Sequence, residues 1–223
     1  MQYYLVPPTD YRYITALLSL PRATPSGRHC HSATPWWMRS SLLLTLSRMT
    51  AGSATWPPRT AAALHSYLLG GWALEKAMDY RRGGVSGTFT GVTTFAPLEH
   101  RERAALLLYK EEGQAVLGAE RSTFQASKSL LWDFGGEQVE VFFDEAKDRS
   151  PEAVVRGARF FHHIDVAAAA ESPFQFEHPC LADMYRGTLC LDAPDSFRML
   201  WRVNGPNKDG TIDATYTRIK AAI

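Results

Sequence analysis

Val85-Ser86-Gly87-Thr88-Phe89-Thr90-Gly91-Val92-Thr93-Thr94-Phe95 alternates along its whole length. Val85, Phe89, Thr93 and Phe95 share one face, and Ser86, Thr88, Thr90 and Thr94 share the other. A period of two is the signature of a half-buried strand. The same pattern recurs on both sides of this stretch. Upstream it predicts a strand around Trp72–Tyr80. Downstream it predicts strands over Arg103–Glu112, stopping at Glu112-Gly113, then over Arg121–Phe134 and Glu137–Asp144, with Gly135-Gly136 as a two-residue hairpin signal. Ala158–Asp165, Met184–Leu191, Phe197–Asn204 and Thr211–Ile219 complete the set. The count is about nine strands, with single helical turns at Pro151–Arg156 and Val166–Glu171 between them. Short strands without βαβ alternation define an all-β fold, a meander sandwich or barrel. A closed barrel of about eight to ten strands leaves an interior wide enough for one small ligand.

Residues 1–66 read differently. They hold 7 of the 13 prolines, six arginines, no lysine and a single acid, Asp10. Such a composition suits a disordered arm, a transit-like segment, or a reading frame opened upstream of a true start at Met49. A helical piece over Thr60–Leu69 leads into the strands. The domain reading is therefore an N-terminal extension over 1–66 and a barrel over 67–223. The net charge of +1 hides this split, because the barrel part carries 18 basic and 22 acidic groups. A mildly acidic barrel excludes nucleic acid as the natural partner, since that affinity rests on clustered Lys and Arg. No apolar run reaches the roughly 18 residues of a membrane span. Three cysteines, Cys30, Cys180 and Cys190, fit neither a disulfide scaffold nor zinc spacing. A reducing, cytoplasmic setting is expected, or an organelle if residues 1–66 act as a transit peptide.

Gly70-Gly71-Trp72 opens the barrel and Arg218 lies on its last strand, a pairing that in lipocalins closes one end by stacking guanidinium on indole. More specific stretches follow in order: Leu69-Gly70-Gly71-Trp72, Gly87-Thr88-Phe89-Thr90-Gly91, Tyr109-Lys110-Glu111-Glu112-Gly113 and Arg159-Phe160-Phe161-His162. Then come His178-Pro179-Cys180-Leu181-Ala182-Asp183-Met184-Tyr185, Trp201-Arg202-Val203-Asn204-Gly205-Pro206-Asn207-Lys208-Asp209 and Tyr216-Thr217-Arg218. Through these the chain resembles a lipocalin-like family known as domain of unknown function 6314, over residues 68–219. The resemblance implies a small calycin-type β-barrel and no established reaction. Leu130 and Gly210 stand where it leads one to expect aromatics, and Glu145–Gly157 is longer than its pattern, which predicts a lengthened surface loop.

The polar residues of the C-terminal half are the candidates for chemistry. Alternation places Phe160, His162 and Ile164 on one face, and Phe197, Met199, Trp201 and Val203 on an interior face. Ile212, Ala214, Tyr216 and Arg218 point inward, opposite a solvent face of Thr211, Asp213, Thr215 and Thr217. His162, His178, Tyr185 and Tyr216 are the catalytic candidates. The ligand-binding candidates are Tyr109, Trp132, Arg159, His162, Trp201, Lys208, Tyr216 and Arg218. No metal is expected, because His178 and Cys180 have no second pair at ligand spacing. Pro179 weakens a strand there, so Cys180 reads as a small buried group and His178 as a loop hydrogen-bonder. Glu111 shares Tyr109's side, and Glu112 reads as part of a solvated turn. Gly205–Gly210 lacks the order of a phosphate loop and reads as the last hairpin turn. No nucleotide or nucleophile motif is present, and no cofactor is expected.

Two functions suit these residues. One is a barrel holding a small hydrophobic molecule against Phe89, Phe95, Trp132, Phe160 and Trp201. The other is a cofactor-independent isomerase or cyclase working in the same cavity. The oligomeric state is open at this level. Residues 1–66 are expected to be dispensable for folding. A chain truncated to begin near Ala61 should melt cooperatively with β-type circular dichroism; its aggregation alongside a well-folded full chain would move the boundary.

Overall fold

The computed structural model describes residues 56–166 and 173–220. Ten antiparallel strands form one sheet that curls into a nearly closed barrel. In chain order they are β1 (Gly70–Arg82), β2 (Gly87–Leu98), β3 (Leu106–Leu117), β4 (Ser122–Asp133), β5 (Val139–Asp144) and β6 (Ala158–Ile164), then β7 (Phe174–Cys180), β8 (Asp183–Ala193), β9 (Ser196–Asn204) and β10 (Asp209–Arg218). Helix α1 (Ala61–Leu68) precedes them and α2 (Pro151–Arg156) lies between β5 and β6. The strand order is β6-β5-β4-β3-β2-β1-β10-β9-β8-β7, so first and last strands pair in the middle. Of the two all-β forms that the alternation left open, sandwich and barrel, the fold is the antiparallel barrel.

Helix α1 closes one end. Thr60 Oγ1 accepts from the Ala63 N–H at 3.1 Å and caps the first turn. Leu64 and Leu68 are fully buried in the barrel core, beneath Trp72, Phe95 and Phe197. The expected boundary after residue 66 therefore cuts through an element of the barrel itself. Trp72 donates its indole N–H to the Leu68 carbonyl at 2.8 Å. The Arg218 guanidinium lies 3.9 Å from the centroid of that indole and donates to the carbonyls of Leu69 and Tyr67. One stacked cation thus ties the first strand, the last strand and the helix together. The readings of residues 1–66 as transit segment, disordered arm or a start at Met49 fall mostly on residues 1–55, outside the described residues.

Several local expectations need correction. Strand β3 does not stop at Glu112-Gly113 but runs on to Leu117, and Glu112 is an exposed strand residue. Gly113 is there for close approach: it pairs with Gly91, and a Cβ on it would fall 2.3 Å from the Thr90 carbonyl oxygen. The Gly135-Gly136 hairpin is not a two-residue turn. Pairing lapses after Asp133 because buried Phe134 turns into the core, and the ladder resumes at Glu140. A tenth strand, β7, carries Pro179 in register with Met184. It has a ladder partner only on its β8 side, where the missing N–H of proline is tolerated. The alternation of β6 breaks at a bulge opposite Val141/Phe142, so Phe161 and His162 are both buried while Phe160 is 50% exposed. Phe160 is consequently not part of the interior wall. Glu145–Gly157 folds into more than a loop: α2 sets Val154 against Leu106 and Leu131 on the outside of the barrel. The turn expected over Val166–Glu171 falls mostly on residues 167–172, outside the described ones.

Arg218 and Trp72 should couple energetically. A double-mutant cycle with Arg218→Ala and Trp72→Phe should return an interaction of about 0.5–2 kcal/mol in denaturant melts, the range of partly buried cation–π contacts. Additive effects would mean that the stack does not contribute to closure.

Candidate functional site

Inward rows of the barrel carry two polar groupings above the Trp72 end. The first is built on Glu111, 1% exposed on β3. Lys76 of β1 reaches both its oxygens, at 2.9 and 3.1 Å, and the Tyr109 hydroxyl donates to Oε2 at 2.5 Å. Tyr109 has spent its only proton there, so across the 3.2 Å contact between phenols Tyr216 is the donor. Burial would raise the Glu111 carboxyl, but the ammonium groups of Lys76 and Lys128 and these hydrogen bonds outweigh it and hold it below its ordinary value. Burial and the Glu111 charge keep the Tyr109 phenol protonated well above its ordinary range, and the same two causes raise Tyr216. Lys128 extends from β4 toward this carboxylate.

The second grouping lies at the seam between β6 and β7, the two ends of the sheet, between which no ladder forms among the described residues. The seam is held by side chains. His178 Nδ1 lies 2.8 Å from the Phe161 carbonyl oxygen and must donate to it. The rings of His162 and Phe176 stack 4.4 Å apart across the gap, at an interplanar angle of 11°. Trp201 stacks on Phe161 and meets His162 edge-on. Gly187 makes this packing fit, because a Cβ there would sit 2.0 Å from the Phe176 ring. Desolvation pushes the His162 imidazole down to about 3, so near neutrality it is uncharged and a weak base. Burial also lowers His178 and raises the Cys180 thiol, which disfavours a thiolate nucleophile.

The candidate residues fall into distinct places. Tyr109 and Tyr216 join Glu111. His162, His178, Tyr185 and Trp201 line the β6–β7 side, where His178 bonds a strand carbonyl in place of the loop expected. Arg218 lies beneath Trp72 at the closed end, and Trp132 packs on Phe95 and Phe134 above it. Arg159 pairs with Glu145 and covers the outer edge of Phe143. Lys208 is 6% exposed, its ammonium 5.7 Å over the Tyr185 ring, and its N–H bonds Asp183, which caps the last hairpin turn. Sequence reasoning missed Lys76, Lys128 and the role of Glu111. The signal was available: Lys76 and Lys128 stand in parity with Leu74 and with Leu130, inside rows that are otherwise apolar.

Four interior atoms have no hydrogen-bond partner among the described residues: Thr93 Oγ1, Trp132 Nε1, His162 Nδ1 and Tyr185 OH. All four side chains are at most 2% exposed. Two surface grooves exist as well. One of about 490 Å³ runs along the outer side of β7–β10, and one of about 620 Å³ lies by the β4–β5 loop. Of the candidate residues only Trp201 borders either of them. Among the described residues no three His, Cys, Asp or Glu gather as a metal-binding group, and no helix is long and apolar enough to cross a membrane.

Architecture and interior together define a nearly closed antiparallel β-barrel with polar groups buried along its axis. The chain belongs to the family of unknown function DUF6314, which matches residues 68–218. Comparison with curated proteins gives no match. Among solved structures the chain is similar to an S-type phycobiliprotein lyase, CPES, from Guillardia theta, with 7% identity, 73% of this chain and 94% of that one covered, and a TM-score of 0.44. It is also similar to a de novo designed fluorescence-activating β-barrel, with 13% identity, 70% and 96% covered, and a TM-score of 0.29.

The depressed His162 has a testable sign. Its folded value of about 3 lies below the ordinary 6.5, so on acidification the unfolded chain takes up a proton that the folded barrel refuses. Stability is lost progressively from about pH 6.5 downward, by an amount on the order of a few kcal/mol at the limit. His162→Phe keeps the stack and should flatten that loss, measured by urea melts at pH 7 and pH 4.5. Parallel profiles for the two proteins would mean that His162 titrates as in solution.

Proposed function

We propose that the barrel binds a small organic molecule with a mainly apolar body inside its strands. The observation that supports this best is the set of four buried, unpartnered polar atoms distributed over β2, β4, β6 and β8. A folded interior tolerates such groups at about 1–3 kcal/mol each, which is why native proteins keep few. A ligand carrying a few acceptors and donors satisfies them, while Phe89, Phe95, Phe161, Phe176 and Trp201 receive its apolar surface. The interior is aromatic enough to hold a flat molecule and polar enough to orient it.

The isomerase or cyclase alternative gains no support of this kind. His162 is neutral and weakly basic, His178 is engaged at the seam, and the Tyr109 hydroxyl is committed as donor to Glu111. Binding alone uses what is present.

N-Phenylnaphthylamine, a neutral probe that brightens in apolar surroundings, tests the reading directly. It should bind the wild-type barrel and be displaced by competing apolar metabolites. Ala214 is a small residue, 3% exposed, on the inward row of β10 beside Lys76 and Met199. Ala214→Phe should destabilise by about 1–3 kcal/mol through overpacking and weaken probe binding at least about tenfold. A wild-type barrel that takes up no probe would refute the proposal.

A further inference from the structure

Resting on that reading, we infer that the ligand is an organic acid bearing one negative charge, which Lys128 receives beside the Lys76–Glu111 pair. The argument starts from charge. The middle of the interior holds two ammonium groups, Lys76 and Lys128, and one carboxylate, Glu111. Glu111 is already engaged at both oxygens: Lys76 reaches each of them and Tyr109 donates to one as well. Lys128 feels the Glu111 charge but makes no hydrogen bond or ion pair with any described residue, and its ammonium faces the Phe161 ring at 5.8 Å. A cation enclosed in this way is costly unless an anion joins it. The excess is one positive charge. A neutral ligand would leave it unanswered, and a dianion would overshoot it.

A second observation points to the same spot. His162 Nδ1 is unpartnered in a side chain only 2% exposed, and Lys128 is among the charges that act on that ring. Lys128 is half-buried on the inward row of β4, between buried Ala126 and Leu130, and stands opposite Glu111 in the β3–β4 ladder. An acid group placed there meets the ammonium of Lys128 and a ring nitrogen of His162, with Phe161, Phe176 and Trp201 walling the body of the molecule. Recognition by a buried amine and aromatic walls suits an aryl or alkyl acid better than a sugar or a nucleotide.

The titration of Lys128 supplies a handle. Burial pushes its amine down to about 8, with Glu111 opposing and Lys76 reinforcing the shift. The groups facing it are Glu111 from β3, Lys76 from β1 and His162 from β6, with the phenols of Tyr109 and Tyr216 behind Glu111. Between pH 7 and 9 His162 is uncharged and both phenols stay protonated. An anion binds the protonated amine, so its affinity is full below pH 8 and declines as the pH rises through that value.

The experiment compares two probes of similar body on the full chain, anilinonaphthalene sulfonate and neutral N-phenylnaphthylamine, with circular dichroism confirming the fold. The sulfonate should weaken about tenfold from pH 7 to pH 9 while the neutral probe holds steady. Lys128→Met should weaken the sulfonate at least about tenfold at pH 7 and leave the neutral probe unchanged. Equal responses of the two probes to pH and to the substitution would overturn the inference and leave small-molecule binding standing. Entry of neither probe would overturn both. If Lys128→Met does not fold, the wild-type pH comparison still decides.

Discussion

The stack of Arg218 on Trp72 is the constraint on which the barrel depends. A sheet whose first and last strands pair in its middle needs something to fix how far β1 and β10 slide past one another. Trp72 stands opposite Arg218 in the ladder, and the guanidinium reaches past the indole to the carbonyls that end α1. The helix C-terminus thereby gains a cation for its unpaired carbonyls, and the helix becomes the floor of the barrel. Leu64, Leu68, Phe95 and Phe197 pack on that floor. With one end closed in this way, polar groups further along the axis are cut off from bulk water on that side.

The middle layer shows what that enclosure does. A carboxylate buried to 1% survives as an anion only because a lysine and a phenol converge on it. The phenol is oriented in turn, since one proton spent on Glu111 obliges Tyr216 to donate rather than accept. Such a network is directional and stiff, and it leaves Lys128 as the part of the layer able to respond to a guest. The energetic asymmetry lies between an acid engaged at both oxygens and a base without an ion pair on neighbouring strands.

The seam between β6 and β7 is the weakest line in the wall. Elsewhere ladders of backbone hydrogen bonds hold neighbours together, whereas here an imidazole on a carbonyl and stacked rings replace them. The bulge in β6 is the reason these contacts exist. It turns Phe161 and His162 inward together and sends Phe160 outward, so two consecutive side chains meet β7. Pro179 fits the same line because the edge of β7 offers no ladder in which a missing N–H would be felt.

Alternation of apolar and polar residues was sufficient to determine an all-β fold, sandwich or barrel, and the inward row Ala214, Tyr216, Arg218, while the resemblance to a family supplied barrel closure and the pairing of Trp72 with Arg218 at its end. These are matters of period and order, and local sequence carries both. It did not determine β7, the run of β3 through Gly113, or the exposure of Phe160. A proline, a glycine pair and a bulge each look like punctuation until the neighbouring strand shows what they accommodate. The interior was legible in part: Trp201 and Tyr216 were placed inward from parity on their strands, whereas the burial of His162 depends on the β6 bulge. That Tyr109 donates to Glu111 and accepts from Tyr216, that Lys76 neutralises the carboxylate and that Lys128 is left over were decided only by the tertiary structure. Lys128 faces Glu111 across the β3–β4 ladder, but Lys76 and Tyr216 come from β1 and β10, and only the curling of the sheet brings their inward faces to the same carboxylate layer.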